Sequence, residues 1–376
     1  MSAGGTAAVF TTDFVPYSQT FVYDEIRAHD RYSIDVFSKR RMNEGDFPEG
    51  RVRCPRSRAG RAFYESVGFW PPHDRVLARR EHDLIHAHFG TGAVYALPYV
   101  RRHDYPFIVT FWGNDVGSLL GSQRRLPGRW RYVRAAPRIM ERADLMLCVS
   151  ETLRRHIAEL SGREEATRLY RPGVDVSRFA PRERPADVVE FILVGRFTEK
   201  KGHEFAIRAF ARIARHGGGH RARLALVGSG RLEDRMRTLV RELGIEKSVV
   251  FRGRLSHADT AGAMARAHVA LAPSVVARDH DLEGSPTVLR EAAACGLPAV
   301  GTIHSGIPEI IEDGRTGYVV PERDVDALAD RMLDLLENAD RRESFGRAAR
   351  RKMEAEFDLY GRVAALEEIY DSVRRG

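Results

Sequence analysis

Cysteine is scarce in this 376-residue chain: Cys54, Cys148 and Cys295 stand far apart and are odd in number. They supply neither a disulfide framework nor the close spacing of a cysteine-based zinc site. Long apolar runs are missing too. No stretch reaches the roughly 18 apolar residues of a membrane-spanning helix, and the opening MSAGGTAAVFTTDF lacks the basic and apolar regions of a secretory signal. A cytoplasmic protein is therefore expected. Lysine is the third shortage. Only Lys39, Lys200, Lys201, Lys247 and Lys352 occur among 60 basic residues, so arginine is the default surface cation and the Lys200–Lys201 pair stands out.

What is present is an ordinary globular composition, 43% hydrophobic and 30% charged, long enough for two domains. The net charge of +8 is unevenly placed. Residues 1–185 hold 30 Lys and Arg against 22 Asp and Glu, whereas the remainder holds 30 of each. The arginines of the first half are scattered and lack a nucleic-acid motif, which argues against a DNA or RNA partner. A phosphorylated partner molecule, or an anionic membrane surface touched by the basic first half, is the better expectation.

Short apolar runs alternate with amphipathic stretches, the signature of strand and helix repeats in parallel sheets. Strands are expected near AAVFTT, YSIDVFS, LIHAH, PFIVTF and LMLCVS, with a clear helical pattern from Arg124 to Arg142. In the second half EFILVG, RLALVG, VVFRG, VALAPS, PAVGT and YVV read as strands, with helices starting at His203, Arg231, His257, Pro286 and Pro308. The proline-rich segment at residues 171–188 reads as a linker or hinge. The fold class is thus α/β: two doubly wound Rossmann-like domains, residues 1–175 and 186–355, facing a cleft. A C-terminal helix at 356–376 is expected to pack back on the first domain.

The segment DLEGSPTVLREAAACGLPAV, residues 281–300, concentrates the chemistry. Ser285 reads as an N-cap and Pro286 as the first helical residue, so the N–H groups of Thr287 and Val288 should offer an anion site at a helix end. Glu283 and Glu291 flank it, suited to accepting hydrogen bonds from uncharged hydroxyls. In VGRFTEKKGHEF, Arg196 and Lys201 sit just past a strand end, where they can neutralise a diphosphate.

These motifs, Glu283-x7-Glu291, APS at 272–274, GRF…KKG and GIPEIIEDGRTGYVV, resemble glycosyltransferase family 4, the retaining nucleotide-sugar transferases of GT-B fold. FVPYSQTFVYDEI, HAHFG, PFIVTFWGNDV, RADLMLCVSE and RPGVDVSRF follow in family order and resemble its exopolysaccharide branch. The resemblance implies an enzyme that moves a sugar from a UDP- or GDP-type donor, a co-substrate rather than a cofactor, to a hydroxyl of a glycan, lipid-linked or small-molecule acceptor. Arg196, Lys201 and Glu283 would carry the catalysis. The diphosphate would lie on Arg196, Lys201 and the N–H groups of Thr287 and Val288, with Ser285 also among the donor-binding residues. Glu291 would take the ribose, Glu283 the transferred sugar, and Gly253 with Arg254 the base. The first domain would hold the acceptor near Ser18, His88, Trp112 and Asp115. No metal is required.

One departure touches the centre of the pattern. The family's T-x-His-G-x-Asp motif reads Thr110, Phe111, Trp112, Gly113, Asn114, Asp115 here, with tryptophan in the histidine position. A bulky indole could favour a pentose or 6-deoxy sugar, or the loop could be shifted. His86 and His88 could form a metal pair, but spacing supplies no third ligand. A non-catalytic partner subunit and another GT-B enzyme such as a sugar-nucleotide epimerase stay open as alternatives. A dehydrogenase does not, because LVGSGRLEDRM has Glu233 where the third glycine of a dinucleotide fingerprint belongs.

Overall fold

The computed structural model describes residues 4–121, 129–185, 187–215 and 221–375, without the side chains of Ser18 and Arg375. Seven strands form the first sheet: β1 (Gly5–Phe14), β2 (Tyr32–Arg41), β3 (Val52–Arg53), β4 (Leu84–His88), β5 (Phe107–Phe111), β6 (Leu145–Cys148) and β7 (Thr167–Leu169). Six more form the second: β8 (Val189–Val194), β9 (Ala222–Val227), β10 (Val249–Gly253), β11 (Val269–Ala272), β12 (Ala299–Thr302) and β13 (Gly317–Val320). The orders are β3-β2-β1-β4-β5-β6-β7 and β10-β9-β8-β11-β12-β13, and every pairing is parallel. The short β3 and β7 are too brief to show a pattern in sequence. Of the helix expected over 124–142, residues 124–128 lie outside the described residues, and the helix runs Trp130–Arg142.

Parallel strands are buried on both faces, which is why they read as unbroken apolar runs. β8 shows it directly. Phe191 and Leu193 pack with Phe210 and Met332 on one face, while Ile192 packs with Ala293 and Leu297 on the other. Some of the helices between strands start at a side-chain cap. The Ser256 side chain accepts from the Asp259 N–H at 3.0 Å and starts His257–Arg266.

Contacts divide the chain into two compact units, residues 1–173 with 359–376, and residues 174–358. The segment expected as a linker is therefore only partly one. From Val174 on it packs into the second unit: the Val174 N–H bonds the Phe357 carbonyl at 2.8 Å, Phe179 is buried, and Arg184 donates to the Cys295 and Gly296 carbonyls. Proline and mixed charge masked this packing because its anchors are single residues rather than a periodic face.

The last helix, Leu359–Arg375, completes the first unit. Leu366 and Tyr370 join the core of Val22, Ile26 and Leu84. Glu367 accepts from the N–H groups of Asp30, Arg31 and Tyr32 at 3.1, 3.0 and 3.2 Å and faces His29 Nδ1 at 3.1 Å. Burial alone would raise its pKa; His29 and the N–H groups outweigh that and hold it at about 2. Because the folded-state value is depressed, this contribution is full above the ordinary carboxylate range and fades as pH falls towards 2. Glu367→Ala is expected to cost about 3 kcal/mol in urea unfolding at neutral pH, with the difference from wild type shrinking at pH 3. An equal loss at both pH values would contradict the clamp.

Candidate functional site

In an open parallel sheet ligands bind beyond the carboxyl ends of strands where the strand order reverses. In the second unit that point lies between β8 and β11. The loop after β8 carries Arg196 and turns through Glu199–Lys201 into the helix His203–Ile213. Gly202 makes this turn possible: its φ is +67°, and a Cβ there would lie 1.8 Å from the Pro273 carbonyl oxygen, in the loop after β11. The two loops are thus pressed together by a contact only glycine allows.

Their side chains meet at Glu283. Lys201 Nζ lies 3.1 Å from Glu283 Oε1, and Lys200 Nζ lies 3.9 Å from the same oxygen and 3.0 Å from Asp281 Oδ1. Glu283 is 8% exposed. Burial pushes its pKa up, but the two lysines, Lys201 foremost, pull harder and leave it at about 2, ionised at neutral pH. Lys200 is buried and also donates to the Leu282 carbonyl at 3.3 Å. The sequence signal for it was the scarcity of lysine itself.

The following helix is Thr287–Ala294, and its N-cap is Pro286, not Ser285. Ser285 instead faces back onto the buried Arg290, whose Nη1 reaches both its hydroxyl and its carbonyl. Cap preference was outweighed by this buried guanidinium. Leu289 N–H bends back to the Pro286 carbonyl at 3.2 Å, leaving the N–H groups of Thr287 and Val288 ahead of the first intrahelical bond. Glu291, half-buried in the second turn, lies 3.6 Å from His257 Nε2. Arg196 and Arg254 are exposed, and Gly253 ends β10 with φ +64°.

The first unit places its expected residues differently. Tyr17 and Gln19 lie in the turn after β1, beside the reversal between β1 and β4; the Ser18 side chain lies outside the described residues. His88, expected on the acceptor side, is 1% exposed: its Nε2 lies 3.4 Å from Glu25 Oε1 and its ring 5.9 Å from Trp112. Burial lowers its pKa to about 3 and raises that of Glu25 to about 7. Trp112 is buried against Phe21, ring centroids 4.2 Å apart. Asp115 is consumed by the backbone, accepting from the N–H groups of Gly90, Trp112, Gly113 and Val116 at 2.9 to 3.1 Å. All three side chains are buried, and that of Asp115 is engaged by backbone N–H groups.

The third group near the histidines, invisible by spacing, is Glu25 on the helix Thr20–Arg27. One potential ligand atom from each of Glu25, His86 and His88 lies within 4.8 Å of the others. His86, however, uses both ring nitrogens on hydroxyls, Tyr370 and Thr110, each at 2.7 Å. The cluster reads as a buried polar lock under the last helix.

The profile of glycosyl transferases group 1 matches residues 178–352, and that of glycosyltransferase family 4 matches residues 19–178. An Escherichia coli protein assigned to colanic acid biosynthesis as a glycosyltransferase is 34% identical over 284 residues, 73% of this chain and 67% of its own. The chain belongs to glycosyltransferase family 4. A Mycolicibacterium smegmatis relative, a GDP-mannose-dependent phosphatidylinositol monomannoside mannosyltransferase, is 30% identical over 97% of this glycosyltransferase and 98% of its own length. The fold is GT-B. The Anabaena protein HepE, solved with UDP and glucose, superposes with a TM-score of 0.78 at 19% identity, over 98% of this glycosyltransferase and 100% of that chain.

In this glycosyltransferase Asp115 stands in the family's motif, yet its four backbone contacts predict a structural defect when they are lost. Asp115→Asn is expected to lower unfolding free energy by about 3 kcal/mol, since an amide donor then faces backbone donors. Unchanged urea unfolding together with lost turnover would assign Asp115 to chemistry instead.

Proposed function

We propose that this enzyme transfers a sugar, with retention of anomeric configuration, from a nucleoside diphosphate to a hydroxyl acceptor. One observation carries the reading: Lys201, ionised Glu283 and the open first turn of Thr287–Ala294 converge at the strand-order reversal between β8 and β11. A diphosphate leaving group would take Lys201, Arg196 and the N–H groups of Thr287 and Val288 as its cationic and dipolar partners. Glu283 and Glu291 would accept from hydroxyls of the sugar and ribose, and Gly253 with Arg254 would border the base.

The reaction breaks the bond between the anomeric carbon and the phosphate oxygen and forms one to the acceptor oxygen on the same face. The departing phosphate oxygen takes the acceptor proton, so no protein base is assigned; catalysis rests on positioning and on charge stabilisation of the diphosphate. The donor is proposed to be a UDP- or GDP-sugar, supported by the mycobacterial relative's GDP-mannose dependence and the UDP in HepE. An anionic acceptor, phosphorylated or presented on an acidic membrane, is supported by the excess of Lys and Arg confined to residues 1–185. Acceptor affinity insensitive to salt would contradict that part.

Release of nucleoside diphosphate from a panel of UDP- and GDP-sugars, with the product anomer read by NMR, tests the whole. Lys201→Ala and Glu291→Ala are each expected to lower kcat/KM about a hundredfold or more. Near-normal rates for both, an inverted product, or tight nucleotide binding without turnover would overturn the reading.

A further inference from the structure

Glu283 is held at its side chain by lysines, but its backbone is held from the other side, by a histidine. The Glu283 N–H donates to His304 Nε2 at 3.0 Å, and His304 Nδ1 lies 2.6 Å from Glu322 Oε1. His304 is 3% exposed, in the loop after β12, and Glu322 follows β13. Since Nε2 accepts, the ring proton sits on Nδ1 and is donated to Glu322, so that carboxylate selects the tautomer. Its second oxygen accepts the Val276 N–H at 2.9 Å. One carboxylate thereby braces the loop after β11 at two places, directly at Val276 and through His304 at Glu283.

The neighbours of His304 reinforce the same loop. Ser305 Oγ donates to the Gly284 carbonyl at 3.1 Å, and the Gly306 N–H donates to the same oxygen at 3.0 Å. Ser305 adopts φ +45° to do so, a left-handed conformation that L residues rarely take. Glu322 stays below the usual carboxylate range although burial opposes it, because His304 and the Val276 N–H favour the charged form.

We infer that His304, oriented by Glu322, is a positioning residue that fixes the Glu283 carboxylate for the transferred sugar while leaving the nucleoside diphosphate to other groups. The inference rests on Glu283 addressing the sugar. The diphosphate is assigned to Lys201, Arg196 and the helix end, whereas the side-chain hydrogen bonds of His304 among the described residues go to Glu283 and Glu322, so the two parts of the donor should respond differently to its loss.

Equilibrium binding of a turnover-competent sugar nucleotide and of its matching nucleoside diphosphate to the full chain separates them. His304→Ala is expected to weaken the sugar nucleotide about tenfold, the scale of one charge-linked hydrogen bond, and the diphosphate by less than about twofold on the same scale. In a Glu283→Ala background the same substitution should have no further effect on the sugar nucleotide. Should His304→Ala fail to fold, His304→Asn, which keeps a donor for Glu322 and lacks the second nitrogen, carries the same expectation. Equal weakening of both ligands, or full additivity with Glu283→Ala, would overturn the inference. A silent His304→Ala beside a damaging Glu283→Ala overturns positioning alone; a silent Glu283→Ala overturns the sugar role of Glu283 as well.

Discussion

Glu283 keeps a negative charge out of water, and a buried carboxylate would ordinarily take up a proton. Two lysines from the loop after β8 prevent this, and they can converge only because Gly202 lets that turn press against the Pro273 carbonyl. Removing one partner from such an arrangement leaves an uncompensated charge, which costs far more than the pair contributes. The two loops are therefore held in one relation, and the open end of Thr287–Ala294 is held with them. On the proposed function, which sets a diphosphate and a sugar at fixed spacing here, the site would gain from preorganisation of this kind.

The first unit uses the same device for a different end. Asp115 gathers four backbone N–H groups, and Glu367 gathers three together with His29. Both carboxylates close loops at the carboxyl or amino ends of the first sheet, and both are buried. Burial with backbone donors is what marks these two carboxylates as staples, in contrast to Glu283, whose oxygen meets lysine side chains.

The strands and most helices were legible because parallel-sheet strands are apolar on both faces and helices carry caps and periodicity. Lys201, Glu283 and the helix near Thr287 were legible because glycine, proline and paired charges mark a strand-end loop. Other features depend on contacts between distant segments. Ser285 looks like a cap until Arg290 is seen behind it; His88 looks like a cleft residue until Glu25 and Trp112 cover it. His304 and Lys200 give no periodic signal at all, since each acts through two side-chain bonds to segments that sequence cannot place beside it.

The central claim is that the nucleoside diphosphate lies at the β8/β11 reversal. Backbone amide exchange on the full chain, with and without saturating UDP or GDP, tests its location most directly. Protection is expected to concentrate in peptides spanning residues 196–202 and 283–291, with the loops after β1 and β4 unchanged. Protection confined to the loops after β1 and β4, with residues 283–291 exchanging as in the free protein, would contradict it.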